Sequence, residues 1–256
     1  MPWRDRSRAA ELSSRVTVAR HERVDPRSAL HEPRRDAASA QPVRTRALVT
    51  GTRVASLERM LKLAIIIGST RPGRVGEGVA RWVHQIASKR KDASFELVDV
   101  ASLGLPLLDE AKPPAMGHYA NDHTKAWAAK VASFDGFLFV TAEYNHGIPA
   151  ALKNALDFVY AEWNDKAAGF VSYGSAGGTR AVEHLRAVMA ELQIADVRLQ
   201  VTFSVYTDFE KGAFRPKNAE QKEQQLHKML DQLLKWTAAM KMVRGGKLDE
   251  LASAAE

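Results

Sequence analysis

The 256-residue chain contains no cysteine. That excludes disulfides, thiolate nucleophiles and cysteine-held zinc or iron–sulfur centres. It fits a reducing compartment, and a cytoplasmic location is the expectation. No stretch approaches the roughly 18 consecutive apolar residues that a spanning helix needs, so no membrane partner is expected. Lysine is missing from the first 59 residues, which hold 13 arginines against 7 acidic side chains, a net of +6 out of the chain's +7. The remaining residues carry 24 basic and 23 acidic groups. A near-neutral body has no electrostatic footprint for DNA or RNA, so no nucleic-acid partner is expected either.

Residues 1–59 are also poor in apolar side chains and lack a sustained period, while Pro2, Pro26, Pro33 and Pro42 are scattered through them. A segment of that kind cannot bury enough surface to offset its ordering entropy, and a disordered Arg-rich extension is expected. It could be a tail for anionic partners, a targeting sequence, or a dispensable extension. Seven acidic residues and the lack of an apolar core segment argue against targeting. Met60 stands directly before the first strand, which favours an extension from an early start. A folded domain is expected over 60–243, with a flexible tail over 244–256.

From Leu61 the pattern changes. Leu61–Ile67 is a short β-branched apolar run ending at Gly68, the mark of a buried parallel strand. Val79, Trp82, Val83 and Ile86 follow at helical spacing. Further strands are expected at Phe95–Val100, Gly136–Thr141, Ala167–Tyr173 and Val197–Val205. Helices are expected at Thr124–Phe134, after Pro149, over Val182–Leu192 and over Asn218–Met242. Residues 101–123 and 206–217 read as polar loops. Five strands alternating with helices specify a parallel sheet covered on both faces. Both flavodoxin-like and Rossmann sheets satisfy the pattern, so the loops at the strand ends must decide.

The first loop, Gly68-Ser69-Thr70-Arg71-Pro72-Gly73-Arg74-Val75-Gly76, joins strand one to helix one. It sets free backbone N–H groups and a positive helix end beside two hydroxyls and two guanidinium groups. A phosphate monoester is the natural occupant. No Gly-Lys-Ser/Thr follows, as a P-loop would require, and Gly73, Gly76 and Gly78 are mis-spaced for a dinucleotide fingerprint. The second loop, Thr141–Pro149, follows strand three. In a sheet of order 2-1-3-4-5 it flanks the same crevice, where FMN binds in such folds. Tyr144 offers a planar face there, and Asn145 and the backbone N–H groups can bond a polar ring edge. The third loop, Tyr173–Arg180, is rich in small residues that admit close approach of a flat ring. Its plain structural alternative is a flexible turn with Thr179 capping the next helix.

Gly68-Ser69-Thr70-Arg71, Glu143-Tyr144-Asn145 with Pro149, and Leu152-Lys153-Asn154-Ala155-Leu156-Asp157 together resemble the NADPH-dependent FMN reductase family, which includes bacterial quinone, chromate and azo-dye reductases. The resemblance covers about residues 61–205. It implies a flavodoxin-like three-layer sandwich with a five-stranded parallel sheet of order 2-1-3-4-5, bound FMN, and homodimers or homotetramers. By position, Ser69, Thr70, Arg71, Arg74, Val75 and Gly76 would hold the phosphate. Ala142, Glu143, Tyr144 and Asn145 would line the flavin, and Ser175 and Gly177 would approach its ring. Two positions depart from the family. Ala142 stands where proline is frequent, and Val75-Gly76-Glu77 where serine and asparagine are frequent, so Arg71 and Arg74 would carry more of the phosphate binding.

The expected reaction is hydride transfer from NADPH or NADH to FMN and onward, in ping-pong order, to a small-molecule electron acceptor such as a quinone, flavin, azo dye or metal oxyanion. The flavin carries the chemistry, so no catalytic side chain and no metal is assigned. The rivals are an electron carrier of the flavodoxin type and an interaction protein working through its basic tail. His146, and the group His118, Asp122 and His123, read as structural or solvated. Lys153 and Asp157 read as an i, i+4 pair, and Trp127, Trp163 and Trp236 as packing or subunit contacts.

Overall fold

The computed structural model describes residues 60–246. The expected extension over 1–59 and most of the expected tail lie outside them. Within the described residues the strands are β1 (Leu61–Ile67), β2 (Ala93–Asp99), β3 (Gly136–Ala142), β4 (Lys166–Gly174) and β5 (Ile194–Ser204). They alternate with α1 (Gly76–Ala87), α2 (Asp122–Ala132), α3 (Ala150–Asp157) and α4 (Thr179–Glu191), and α5 (Ala219–Arg244) closes the domain. The sheet is parallel throughout, in the order β2-β1-β3-β4-β5.

Period-2 alternation sends each strand's side chains to opposite faces. On one face Leu63, Ile65, Ile67, Leu138, Val140, Val171 and Tyr173 pack against α1 and α5. On the other Ala64, Ile66, Phe137, Phe139, Ala168 and Phe170 pack against α2, α3 and α4. β3 and β4 are buried along their whole length, which is why they read as unbroken apolar runs rather than alternating ones. Trp127 and Trp163 belong to this interior, with ring centroids 5.9 Å apart and indole N–H groups donating to Ala155 and Leu156 carbonyls. Trp236 is instead 41% exposed on α5. Lys153 and Asp157 form the expected pair along α3, at 2.7 Å.

Three details differ from the sequence expectation. The loop before α5 holds a short hairpin, β6 (Phe209–Glu210) with β7 (Ala213–Phe214). Two-residue strands are too short to show a period. Their Phe214 packs edge-on to Phe203 and Trp82, with centroids at 4.9 and 6.0 Å, and ties the hairpin to β5 and α1. Two 3-10 turns, Val100–Leu103 and Pro114–Met116, punctuate the long loop before α2. Pro149 stands one place before α3, rather than within its first turn.

Candidate functional site

β1 has β2 on one side and β3 on the other, so successive crossovers leave in opposite directions at β1/β3. The crevice this opens at the C-terminal strand ends is where open α/β sheets bind ligands. All three chemically marked loops lie at those ends.

The first loop is anchored at its root. Gly68 N–H donates to the Val140 carbonyl at 2.9 Å. A Cβ on Gly68 would come within 2.8 Å of Leu152 Cδ2, so glycine is what lets α3 pack here. Ser69 is fully buried, and its hydroxyl meets the Tyr144 hydroxyl at 2.7 Å. Arg74 does not reach out. Its guanidinium donates to the Ser69 carbonyl at 3.0 Å and pairs with the carboxylate of Asp99, at the end of β2. Thr70 and Arg71 are exposed. At Val75, the residue before α1, no side chain caps the helix. The Gly78 amide turns back to the Val75 carbonyl at 3.1 Å, and the positive end of α1 carries no side-chain acceptor. Gly76 is buried against Tyr173, whose hydroxyl a Cβ there would overlap.

The second loop is a tight two-residue turn. Tyr144 and Gly147 exchange both backbone hydrogen bonds at 3.0 Å, with Asn145 and His146 between them at φ 49° and 68°. Two successive positive φ values make it a type I′ turn, a conformation asparagine tolerates well. Asn145 and His146 are exposed at its tip, and Ala142 is buried at the end of β3. Tyr144 lies half-buried across to the first loop, so its phenol joins the two loops through Ser69.

Glu143 turns toward the third loop instead. Its carboxylate, 3% exposed, pairs with the Arg180 guanidinium and accepts the Arg180 backbone N–H at 3.1 Å, in the first turn of α4. Burial alone would push this carboxyl up. Arg180 and the backbone amides of Arg180 and Ala181 outweigh it and hold the pKa below the usual carboxylate range. Capping of α4 thus comes from a residue 37 positions upstream, not from Thr179, whose hydroxyl donates to the Ala176 carbonyl at 3.2 Å. Gly177 and Gly178 adopt φ 72° and 74°, and a Cβ on Gly178 would lie 2.8 Å from the Tyr173 amide. Ser175 and Ala176 are exposed at the tip, while Gly177 is buried below it.

The structure therefore brings Ser69, Gly76 and Tyr144 into one cluster, with Arg74 behind it and Arg71 at its rim. Glu143 holds the second and third loops together. Sequence reasoning missed Tyr173, Asp99 and Arg180. A tyrosine ending an otherwise apolar strand was the available signal for the first; nothing in the local sequence marked the other two. His123 pairs with Asp109 at 3.0 Å. No group of three metal-ligating side chains occurs among the described residues.

The residues fit a phosphate-bearing ligand: uncapped helix amides, a buried hydroxyl and an exposed guanidinium converge beside a turn and a glycine loop open to a planar group. The family profile of NADPH-dependent FMN reductase matches residues 61–208. An NAD(P)H-dependent FMN reductase of Nectria sp. is 40% identical over 159 residues, covering 58% of this chain and 79% of the relative. A 2-hydroxy-1,4-benzoquinone reductase of Burkholderia sp. is 34% identical over 141 residues, covering 52% of this chain and 73% of the relative. Among solved structures, FerB, a flavoenzyme NAD(P)H:(acceptor) oxidoreductase of Paracoccus denitrificans, superposes with a TM-score of 0.55 at 18% identity, over 70% of this chain and 98% of FerB, and shares the fold.

Proposed function

The chain belongs to the NADPH-dependent FMN reductase family, and from that premise we propose how its loops hold FMN and which acceptors it serves. The protein is an NAD(P)H-dependent FMN oxidoreductase. FMN, when bound, would supply the redox chemistry between NAD(P)H and an electron acceptor.

The observation that carries the site assignment is the first loop's donor set at the β1/β3 crevice. Ser69 and the amides of Val75 and Gly76 receive the phosphate, and Arg71 closes on it from solvent with a charge-assisted bond. Arg74 keeps the loop in shape, through Asp99 and the Ser69 carbonyl. The backbone from Ala142 to Asn145, stiffened by its I′ turn, borders the flavin, and Ser175 and Gly177 approach it from the third loop. Glu143 positions that third loop without contacting the ring.

The acceptor class we propose is a quinone. The Burkholderia relative is a benzoquinone reductase, and a flat ring suits an exposed, glycine-floored face. The exposed Leu107 and Leu108, beside α3, give an apolar surface that fits a homodimer or homotetramer. A cytoplasmic location is in keeping with the reductase chemistry. No helix among the described residues is long and apolar enough to cross a membrane.

An absorbance spectrum of the purified protein, before and after NADPH or NADH, tests the reading. The oxidised-flavin band should be present, should bleach on adding nicotinamide, and should return on adding a benzoquinone. A band that nicotinamides leave unchanged would favour the electron-carrier alternative. Recovery with azo dye or chromate but not with quinone would overturn the acceptor assignment alone.

A further inference from the structure

Tyr173 is a chemically capable group of the site cluster that the phosphate assignment has not used. It ends the buried face of β4 that packs on α1 and α5, and it is 4% exposed. Its hydroxyl is shut off from solvent and has no hydrogen-bond partner among the described residues. The Ser69 hydroxyl is near enough to pull on the phenol's pKa, but the bond it makes, at 2.7 Å, is to Tyr144. The phenol ends at Gly76, the first residue of α1, where any Cβ would overlap it. The orphaned hydroxyl thus lies at the uncapped amino end of a 12-residue helix.

Buried polar groups without partners are rare and destabilising. This one points to a partner that arrives from outside. Burial pushes the phenol's pKa up, and Tyr144 adds to that; Ser69, Arg74 and Arg71 pull it the other way without reversing it. The group therefore stays protonated and can donate.

We infer that the Tyr173 hydroxyl donates to the phosphate of bound FMN, and that Gly76 is glycine so that the phenol can reach that position. The inference rests on the FMN reading above. Tyr144, half-buried and held to Ser69 by one neutral hydrogen bond, is the group that gives way as the phosphate seats on Ser69 and Tyr173. The free chain then carries an unsatisfied hydroxyl that the ligand satisfies, and a gain in affinity is coupled to a loss of stability in the empty protein.

The test compares the full chain, freed of flavin, with its Tyr173→Phe variant. Each is titrated with FMN and with riboflavin, which has the same ring and no phosphate, and each is melted with and without FMN. FMN affinity should fall about tenfold or more in the variant, the scale of a hydrogen bond to a charged group. Riboflavin affinity should not change. The empty variant should melt at or above the wild type, and the FMN-saturated variant below it. Unchanged FMN affinity, or parallel losses for FMN and riboflavin, would overturn the inference. So would an empty variant that melts lower, since that is the behaviour of a hydroxyl with a structural bond. A wild type that binds FMN no better than riboflavin would instead sink the phosphate-site assignment itself, and this inference with it.

Discussion

Glu143→Gln isolates the brace between the second and third loops. The wild-type carboxylate is 3% exposed and takes the Arg180 Nε at 2.7 Å and the Arg180 backbone N–H at 3.1 Å. Glutamine keeps the shape, but it loses the charge and turns an NH2 group toward donors. Hydrogen bonds to charged groups contribute about 1.5–3 kcal/mol, and a carboxylate at a helix N-terminus adds several tenths. Arg180 is 40% exposed and can return to water, which holds the loss near the lower end, about 2 kcal/mol. A domain of this size loses about 2–4 °C of Tm per kcal/mol, so the variant should melt about 4–8 °C lower near neutral pH. The pH dependence sharpens the test. Glu143 titrates below its ordinary 4.5 in the folded chain, so the unfolded chain takes up the proton first. The stability this contributes is present above about 4.5 and disappears as pH falls through the lower folded value. Urea unfolding followed by circular dichroism should therefore give a constant gap between wild type and variant from neutrality to about pH 5, and a narrowing gap below it. A gap under about 0.5 kcal/mol at neutrality, or one that survives to the acid limit, would refute the assignment of this carboxylate as a charged brace.

Arg71→Ala should weaken FMN binding about ten- to a hundredfold in a flavin-fluorescence titration with stability unchanged, because the guanidinium is exposed. Arg74→Ala should lower both affinity and Tm, since it removes the Asp99 pair and the bond to the Ser69 carbonyl. Gly76→Ala should lose about 1–3 kcal/mol in urea unfolding through overlap with the Tyr173 phenol, and most of that loss should vanish in a Tyr173→Ala background. Lys166, 4% exposed at the start of β4 with its ammonium donating to the Val131 carbonyl in the last turn of α2, has its pKa pushed down to about 8, chiefly by burial. The unfolded chain holds this proton up to about 10.5, so wild-type stability should rise relative to Lys166→Met between those two pH values, by up to about 3 kcal/mol.

How much of this was legible in the sequence depends on the range over which each feature is encoded. Leu61–Ile67 and Gly136–Ala142 are buried on both faces, so their apolar runs announce parallel strands without reference to partners. The site loops were found because their chemistry is concentrated in nine consecutive residues or fewer. What escaped notice was encoded across distance. Asp99 lies 25 residues from Arg74, and Arg180 lies 37 from Glu143; neither pairing leaves a local period or motif. Tyr173 was read as the last residue of a strand. Its meaning comes from Gly76, which only the β1/α1 crossover sets against it. The β6–β7 hairpin falls below the length at which alternation can be seen.

The same division of labour runs through the conspicuous charges of the loops. Arg74 and Glu143 stand within the marked motifs and look like ligand groups. Both are neutralised from behind, by Asp99 and by Arg180, and they fix loop shape. The groups left around the amino end of α1 are neutral or peripheral: the buried Ser69 and Tyr173 hydroxyls, the Tyr144 hydroxyl, the first amides of the helix, and Arg71 at the rim. On the proposed site, a dianionic phosphate set among fixed neutral dipoles, with one solvent-side cation, would be held by preorganised geometry rather than by bulk charge. A pair with one largely buried partner, such as Glu143 with Arg180 or Arg74 with Asp99, resists reorganisation because breaking it strands that partner's charge, so it is suited to the rear of a site and poorly suited to its front. On that reasoning, exchanging a braced charge should lower stability and affinity together, whereas exchanging the exposed donor Arg71 should lower affinity for the phosphate alone.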